Sequence, residues 1–495
     1  MFQPSSAVAL VLDDILGSLP WILPEIVLSV TFLLLLVISI LKGEKKKQIG
    51  LCLSLLGLGI AGYQLFQQNS MNSSELLLFA NTYKVDNISI KYSLLITLFT
   101  VLLTIYAYFS LTKEKLIELF ALLIAATLGM YALCSSTHWL MTFIAIETVS
   151  LCSYAMVGYF SNNRFETEAA MKYALFGATC SAIMLYGISL AYAQTGTLNF
   201  TSPEYLMGLA EGSNAMISVS ILFILIGFAF KLSMIPVHFW TPDVYQGAPT
   251  VVTAFIASVP KIAVSIMLFR WVEANAYTAY MYSDVLVYSL VILSLASMWA
   301  GNLAALVQSN AKRLMAYSSI GHTGIIIMLI LFTRDQHNSF FYYLTAYSIA
   351  TIGVFIAIDV LENKTGSQEI NSYYGLGAKL PVLFICFTIL LTSLAGIPPL
   401  MGFVGKLLVF SEAFKVYQYT GDVSTLLLLI SGALTTVVSL FYYFKIPLYA
   451  FLKQGSGSQQ ISNKHTALYT AIIILTIFTI ILGVFPQIVF NIYFK

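Results

Sequence analysis

The sequence predicts an all-α polytopic membrane protein of about 14 transmembrane helices, the seventh and twelfth of them broken. Three observations carry that prediction. Hydrophobic residues make up 59% of the 495 positions and charged residues only 9%, with a mean hydropathy of +0.86, so too little polar surface remains to solvate a water-soluble globule. Apolar runs long enough to cross a hydrocarbon core of about 30 Å recur along the chain with no soluble domain between them. The third is where charge enters those runs: Glu147, Lys172, Lys231, Lys261 and Lys406 lie inside them or at their edges. A charge at the centre of a spanning helix costs about 2.5–3.5 kcal/mol on insertion scales, and such residues are usually functional and face a protein or water-filled interior.

Residues 1–20 have no basic segment, and Asp13 and Asp14 interrupt their apolar run. They read as a short amphipathic lead-in rather than a cleaved signal peptide. Spans are expected near 21–41, 49–66, 93–111, 116–135, 139–160, 169–193, 217–237, 251–272, 284–306, 314–333, 340–361, 381–415, 424–446 and 467–490. The longest connections, near 67–92, 194–216 and 447–466, are rich in Ser, Asn, Gln and Gly. Loops after spans 1, 3, 5, 9, 11 and 13 hold most of the basic residues, from Lys42 through Lys113, Arg164, Lys312 and Arg313 to Lys464. The opposite side has chiefly Lys84, Lys91, Arg334 and Lys495. The positive-inside rule places the first group in the cytoplasm and both termini outside. Arg270, Lys415 and Lys445 fall at span ends, where a long stem can snorkel to the interface.

Two spans carry helix breakers beside a lysine. In the seventh, Lys231-Leu-Ser-Met-Ile-Pro236-Val-His238-Phe-Trp240-Thr-Pro242-Asp243 sets a proline five residues after Lys231, and in the twelfth Gly396-Ile-Pro398-Pro399-Leu-Met-Gly402-Phe-Val-Gly405-Lys406 concentrates proline and glycine before Lys406. Proline removes a helical hydrogen bond, and in lipid the freed carbonyls must be satisfied by protein or internal water. Breaks five spans apart suggest two inverted five-helix repeats around a midplane ion site. The expected divisions are 1–115 for helices 1–3, 116–272 for helices 4–8, 284–446 for helices 9–13 and 467–495 for helix 14.

Several functions are not supported. The five cysteines (Cys52, Cys134, Cys152, Cys180, Cys386) show no C-x-x-C spacing, so neither a disulfide framework nor a metal or iron–sulfur site is expected. Gly57-Leu-Gly59-Ile-Ala-Gly62 satisfies G-x-G-x-x-G but lies within an apolar span and follows no strand, which favours close helix packing over dinucleotide binding. No P-loop, catalytic triad, H-E-x-x-H or nucleic-acid patch is visible.

The stretch Gly227-Phe-Ala-Phe-Lys231 through Pro236, His238, Trp240 and Asp243 to Tyr245-Gln-Gly247-Ala-Pro249-Thr250, with Ser258-Val-Pro260-Lys261 and Asn310-Ala-Lys312-Arg313-Leu-Met-Ala-Tyr317-Ser-Ser-Ile-Gly321-His322, resembles the antiporter-like membrane subunits of respiratory complex I. The resemblance covers nearly the whole chain. Its Pro-Asp-Val-Tyr-Gln-Gly-Ala-Pro-Thr wording, with no lateral helix expected after span 14, looks most like the subunit N (subunit 2) branch.

That resemblance implies a role for each charged residue of the spans. Glu147 on span 5 would pair with Lys231, Lys172 would stand near that pair, Lys261 would be the central proton carrier, and Lys406 would be the terminal ionisable residue of the second half-channel. Some relatives carry glutamate on span 12 where this chain has Lys406. His238 and His322 are relay candidates, since histidine titrates near neutrality. A buried lysine can lose several units from its reference pKa near 10.4, which lets it release and recapture a proton. The family also implies no cofactor in this chain, with flavin, iron–sulfur clusters and quinone in partner subunits. Partners would be the other membrane-arm subunits, including neighbouring antiporter-like ones, and lipids. The membrane would be energy-coupling, as in the bacterial inner membrane.

The residues by themselves leave alternatives open. Lys231 and Lys261 fit structural cations that satisfy carbonyls freed by Pro236 and Pro260, and Lys172 fits a snorkelling partner of Glu168 four residues before it. Asp359 and Glu412 read as interfacial pairs, and either histidine fits a ring satisfied by a backbone carbonyl. A sodium/proton antiporter subunit and a non-conducting structural spacer are the rival functions.

Overall fold

The structure, a computed structural model, describes residues 6–40, 45–71, 75–111, 115–159, 164–276, 281–332, 337–454 and 466–493. Of the basic residues that orient the chain, Lys42, Lys113, Arg334, Lys464 and Lys495 lie outside the described ones. Helices account for almost everything. In chain order they are α1 (Ser6–Ser18), α2 (Leu23–Ile40), α3 (Lys46–Met71), α4 (Asn87–Ser110), α5 (Leu116–Ser135), α6 (Trp139–Tyr159) and α7 (Arg164–Thr195). Then come α8 (Pro203–Glu211), α9 (Asn214–Leu232), α10 (Trp240–Gly247), α11 (Thr250–Ala276), α12 (Met281–Leu306), α13 (Ala311–Phe332) and α14 (His337–Thr365). The last are α15 (Leu376–Lys379), α16 (Pro381–Ala395), α17 (Met401–Thr420), α18 (Val423–Leu452), α19 (Thr466–Val484) and α20 (Gln487–Tyr493).

Among the described residues, 13 helical segments are long and apolar enough to cross a membrane. The remaining expected span, the twelfth, is divided into α16 and α17, as its proline and glycine run predicted. The seventh is divided likewise, α9 ending at Leu232 and α10 beginning at Trp240. Proline does not always interrupt: α11 runs through Pro260 and α18 through Pro447.

One connection holds structure that a helix-length window cannot detect. Leu76–Leu78 (β1) and Tyr83–Val85 (β2) form an antiparallel hairpin, its turn made by Phe79, Ala80 and Asn81, all at positive φ. The strands are only 3 residues each.

The chain resolves into two compact units. The first comprises Met1–Met156, Thr179–Gly227 and Ile262–Val285. In it α2 packs on α3 and α5, and α4 packs on α3 and α5. Asp86 starts α4 with a reciprocal capping box: the Ser89 N–H donates to its carboxylate at 2.8 Å, and its own N–H donates to the Ser89 hydroxyl at 2.9 Å. The same carboxylate is held by Arg270 at 2.9 and 2.6 Å. Arg270 was expected to snorkel; instead it is 5% exposed, because a guanidinium's planar fork matches a carboxylate bidentately and satisfies both inside the protein. Burial alone would raise the Asp86 carboxyl, but the Arg270 charge outweighs it and holds the group at about 2.

The second unit comprises Val157–Ala178, Phe228–Lys261 and Leu286–Lys495. Its central helix is α14, wholly buried along its apolar window and packed on α13, α16, α17 and α19. Two expectations change here. Lys312, read as a loop residue, is buried in the first turn of α13 and pairs with Glu362 at 3.1 Å. Asp359, read as interfacial, is buried within α14 and accepts from Asn363 at 3.2 Å. Glu412 and Lys415 do form the expected pair, at 3.2 Å.

Candidate functional site

The two breaks create helix ends, and helix ends leave carbonyls without partners. At the first, Ser233 takes the left-handed conformation (φ +61°) that reverses the chain, and the Met234 N–H donates back to the Ala229 carbonyl at 2.8 Å. The Leu232 carbonyl accepts from the Thr323 hydroxyl of α13 at 2.7 Å. At the second, Gly396 (φ +88°) closes α16, and the Lys406 ammonium donates to the Ala395 carbonyl at 3.0 Å. A cation at the C-terminal end of a helix is also favoured by the helix dipole. The positive φ at 396 favours glycine, and an added Cβ there would lie 2.9 Å from the Lys406 side chain, which would have to shift.

Lys261 lies on α11 directly after Pro260 and is 1% exposed. Its ammonium donates to the Ser319 hydroxyl at 2.7 Å, the Thr323 hydroxyl at 2.9 Å and the Ser319 carbonyl at 3.3 Å. All three ligands belong to α13, so the lysine is not satisfying a carbonyl released by Pro260. The Ala257 carbonyl, on the same helix, accepts from the Tyr347 hydroxyl at 3.0 Å, and that hydroxyl lies 2.9 Å from the Ser319 hydroxyl. Lysine, serine, tyrosine and carbonyl thus form one hydrogen-bonded chain. Thr323 ties it to the first break, because its hydroxyl touches both Lys261 and the Leu232 carbonyl.

His322 follows on α13. Its Nδ1 lies 2.8 Å from the Tyr343 hydroxyl and its Nε2 3.2 Å from the Tyr443 hydroxyl, and Tyr443 in turn bonds the Ser318 hydroxyl. The ring is therefore satisfied by two phenols, not by a backbone carbonyl. Two small cavities, each with room for about one water, are lined by both His322 and Lys406. Tyr347 also lines the first of them, which joins the Lys261 chain to the His322 and Lys406 region.

The other expected residues occupy more varied surroundings. Lys231, in the last turn of α9, is 8% exposed, its ammonium 5.3 Å from the Phe230 ring centre and 5.8 Å from that of Tyr173, within cation–π range. Glu147, on α6 in the first unit, is half-buried and accepts from the Ser181 hydroxyl. Lys172 is 38% exposed and pairs with Glu168 at 2.8 Å and Asp243 at 2.6 Å. Asp243 also holds Arg313 at 2.7 Å. His238 lies in the first break, half-buried, its ring 4.6 Å from that of Phe239. Sequence reasoning missed Ser319, Thr323, Tyr343, Tyr347 and Tyr443, whose residue types give no signal in an apolar helix. Among the described residues, no cluster of three or more His, Cys, Asp or Glu could hold a metal ion.

Residues 136–436 match the family described as NADH:quinone oxidoreductase/Mrp antiporter, TM. NADH-quinone oxidoreductase subunit N 2 of Chloroherpeton thalassium is 37% identical over 500 residues, covering 98% of this chain and 96% of that protein. This chain belongs to the subunit N family of NADH-quinone oxidoreductase. A chain in the structure of respiratory complex I from Thermus thermophilus with bound aureothin is 30% identical, with a TM-score of 0.78 over 95% of this chain and 99% of that one. A chain of the Mrp complex from Dietzia sp. DQ12-45-1b shares the fold, with a TM-score of 0.76 at 19% identity and 95% coverage of each. As a subunit N family member, the protein is an antiporter-like, multi-pass membrane subunit of an oxidoreductase complex.

Proposed function

We propose that this chain translocates protons in the membrane arm of a complex I assembly, driven by electron transfer to quinone in partner subunits. The observation that carries the reading is the Lys261 site: a fully buried amine whose hydrogen-bond partners are neutral hydroxyls and a carbonyl. Such an environment solvates an ammonium without fixing it, because no carboxylate penalises loss of the proton. Hydroxyls serve either protonation state, since each both donates and accepts.

In this reading a proton on Lys261 reaches His322 and Lys406 through the Ser319 and Tyr347 hydroxyls and water in the cavities beside them. Lys406 releases it when the α16 and α17 ends rearrange. Glu147 and Lys231 act as the switch: approach of the carboxylate favours the charged Lys231, and withdrawal favours its neutral form. Their pairing is supported by the family resemblance. Lys172 and His238 are assigned supporting places near the first break. The two inverted repeats, the bacterial inner membrane, the outside termini, neighbouring antiporter-like partners and redox cofactors confined to partner subunits belong to the same proposal.

The experiment is redox-driven proton uptake by the purified assembly in sealed vesicles, with and without sodium. We expect proton uptake coupled to quinone reduction in sodium-free medium, and its loss in Lys406→Met with assembly retained. A strict sodium requirement would favour the antiporter reading, and normal pumping by Lys406→Met would favour the spacer.

A further inference from the structure

A second polar cluster in this unit is joined to the Lys261 site by three helices. Lys312 and Glu362 pair at 3.1 Å. Glu362 also accepts from the Thr250 hydroxyl at 3.0 Å and from the Gln368 amide at 2.7 Å, and Lys312 donates to the Ala248 carbonyl at 3.3 Å. The two charges differ in access: the Lys312 side chain is 2% exposed and that of Glu362 is 29%.

Each helix that supplies this cluster also supplies the Lys261 site from the same face. On α11, Lys261 follows Thr250 by 11 residues; on α13, Ser319 and Thr323 follow Lys312 by 7 and 11. On α14, which enters from the other direction, Glu362 follows Tyr347 by 15. At 3.6 residues per turn, spacings of 7, 11 and 15 keep the paired side chains within about 60° of one another, and 11 residues span about 16 Å. Polar groups occupy the interval. The Thr253 hydroxyl bonds the Tyr245 carbonyl at 3.2 Å, and the Tyr245 hydroxyl lies 3.4 Å from that of Ser319. The titratable groups facing Glu362 from other elements are Lys312 on α13 and Tyr373 in the turn Ile370–Tyr373. Asp359 and Lys364 stand on its own helix.

We propose that Glu362 is the proton-collecting carboxylate of the Lys261 site. Its exposed edge takes a proton from the aqueous phase, and the proton passes along the shared faces of α11, α13 and α14 to the free amine of Lys261. The Glu362 oxygen gains and then loses the proton, the Lys261 nitrogen gains it, and no electron is transferred. Lys312 positions the carboxylate. The inference rests on Lys261 being a proton carrier, and its loading group is a separate matter from that role.

The test compares Glu362→Gln, Glu362→His and Lys261→Ala in the reconstituted complex, measuring proton uptake and quinone reduction between pH 6 and pH 9. Assembled Glu362→Gln complex should lose about tenfold in uptake at pH 8, at or below the low end of general acid–base contributions. The defect should shrink at pH 6, where bulk protons are abundant, and be relieved by millimolar small weak acids that substitute for the carboxylate. Unchanged uptake, or a pH-independent loss that weak acids do not relieve, would mark a helix staple and overturn the proposal. If Glu362→Gln does not assemble, Glu362→His decides: its pH profile should move toward the titration range of histidine, and a profile identical to that of the unmodified complex overturns the proposal. Normal pumping by Lys261→Ala would instead remove the carrier reading, whatever Glu362 does.

Discussion

Arg270 and Lys261 stand 9 residues apart on α11, both buried, and their surroundings differ in kind. Arg270 meets a carboxylate, Asp86, through two charge-assisted bonds and donates a third to the Cys134 carbonyl at 2.8 Å. Lys261 meets only hydroxyls and a carbonyl. A guanidinium stays protonated in proteins, so burying one demands a fixed counter-charge. An amine that must give up its proton requires the opposite, partners that leave either state tolerable. On the proposed reading, one helix carries a permanent charge and an exchangeable one, distinguished by what faces each.

The largest effect is expected where the permanent charge loses its partner. Asp86→Ala strands the Arg270 guanidinium and removes the cap of α4, and breaking one side of a buried pair costs about 3–5 kcal/mol. We expect loss of the assembled complex on native electrophoresis. The double variant Asp86→Ala with Arg270→Met should recover part of it, since no charge is then left buried. The pair's pH dependence has a definite sign. The folded carboxyl, at about 2, lies below its unfolded value near 3.9, so the contribution is complete well above that unfolded value and is lost progressively as pH falls from about 3.9 through about 2. Thermal stability attributable to this pair should be flat from pH 6 to 9; a slope there that Asp86→Ala removes would contradict the assignment.

Next is the exchangeable charge. Lys261→Arg keeps the positive charge and gives up reversibility, so it should impair pumping nearly as much as Lys261→Ala. A structural lysine would tolerate arginine better than alanine. Redox turnover and proton uptake in vesicles, measured after assembly is checked, separate the two, and near-normal pumping by the arginine variant alone would sink the carrier role.

A smaller effect is expected from the neutral ligands. Ser319→Ala or Thr323→Val removes one hydrogen bond to a charged group, worth about 1.5–3 kcal/mol. Uptake should fall several-fold, more at alkaline pH, because the protonated amine is the form that loses the bond. Equal loss at every pH would mean that the hydroxyls only pack the helices together.

These residues also show how much was legible in the sequence. The helices, the two breaks and the buried lysines were, because long apolar runs, proline beside glycine and charge inside a span are each rare enough to be informative. The ligands of Lys261 were not. Serine and threonine hydroxyls in a helix usually bond their own backbone, as Ser258 does to Ala254, and nothing local separates those from Ser319. The Arg270 and Asp86 pair joins residues 184 apart, so Arg270 looked like a span-end residue with water nearby. Lys312 looked like a loop lysine because it follows Asn310 at a helix start, and only the last turn of α14 supplies the carboxylate that buries it. The hairpin was invisible for a different reason: 3-residue strands are shorter than any periodicity can register.

The smallest effect should come from Lys172, which sharpens the contrast from the other side. Like the proposed carrier Lys261 it is a lysine within a membrane-spanning helix, yet it is 38% exposed and faces two carboxylates, Glu168 and Asp243. Partly exposed ion pairs contribute about 0–1 kcal/mol, and a lysine held by carboxylates has little reason to give up its proton. Lys172→Arg preserves charge and both pairings, so proton uptake should stay within about twofold of normal, consistent with so small an energy. Lys172→Met leaves Asp243 with Arg313 alone and should reduce uptake more than the arginine variant does, through loosened contact between α7 and α10. If Lys172→Arg instead failed as completely as Lys261→Arg, carboxylate partners would not distinguish permanent from exchangeable charge in this protein, and the contrast between Arg270 and Lys261 would hold for α11 alone.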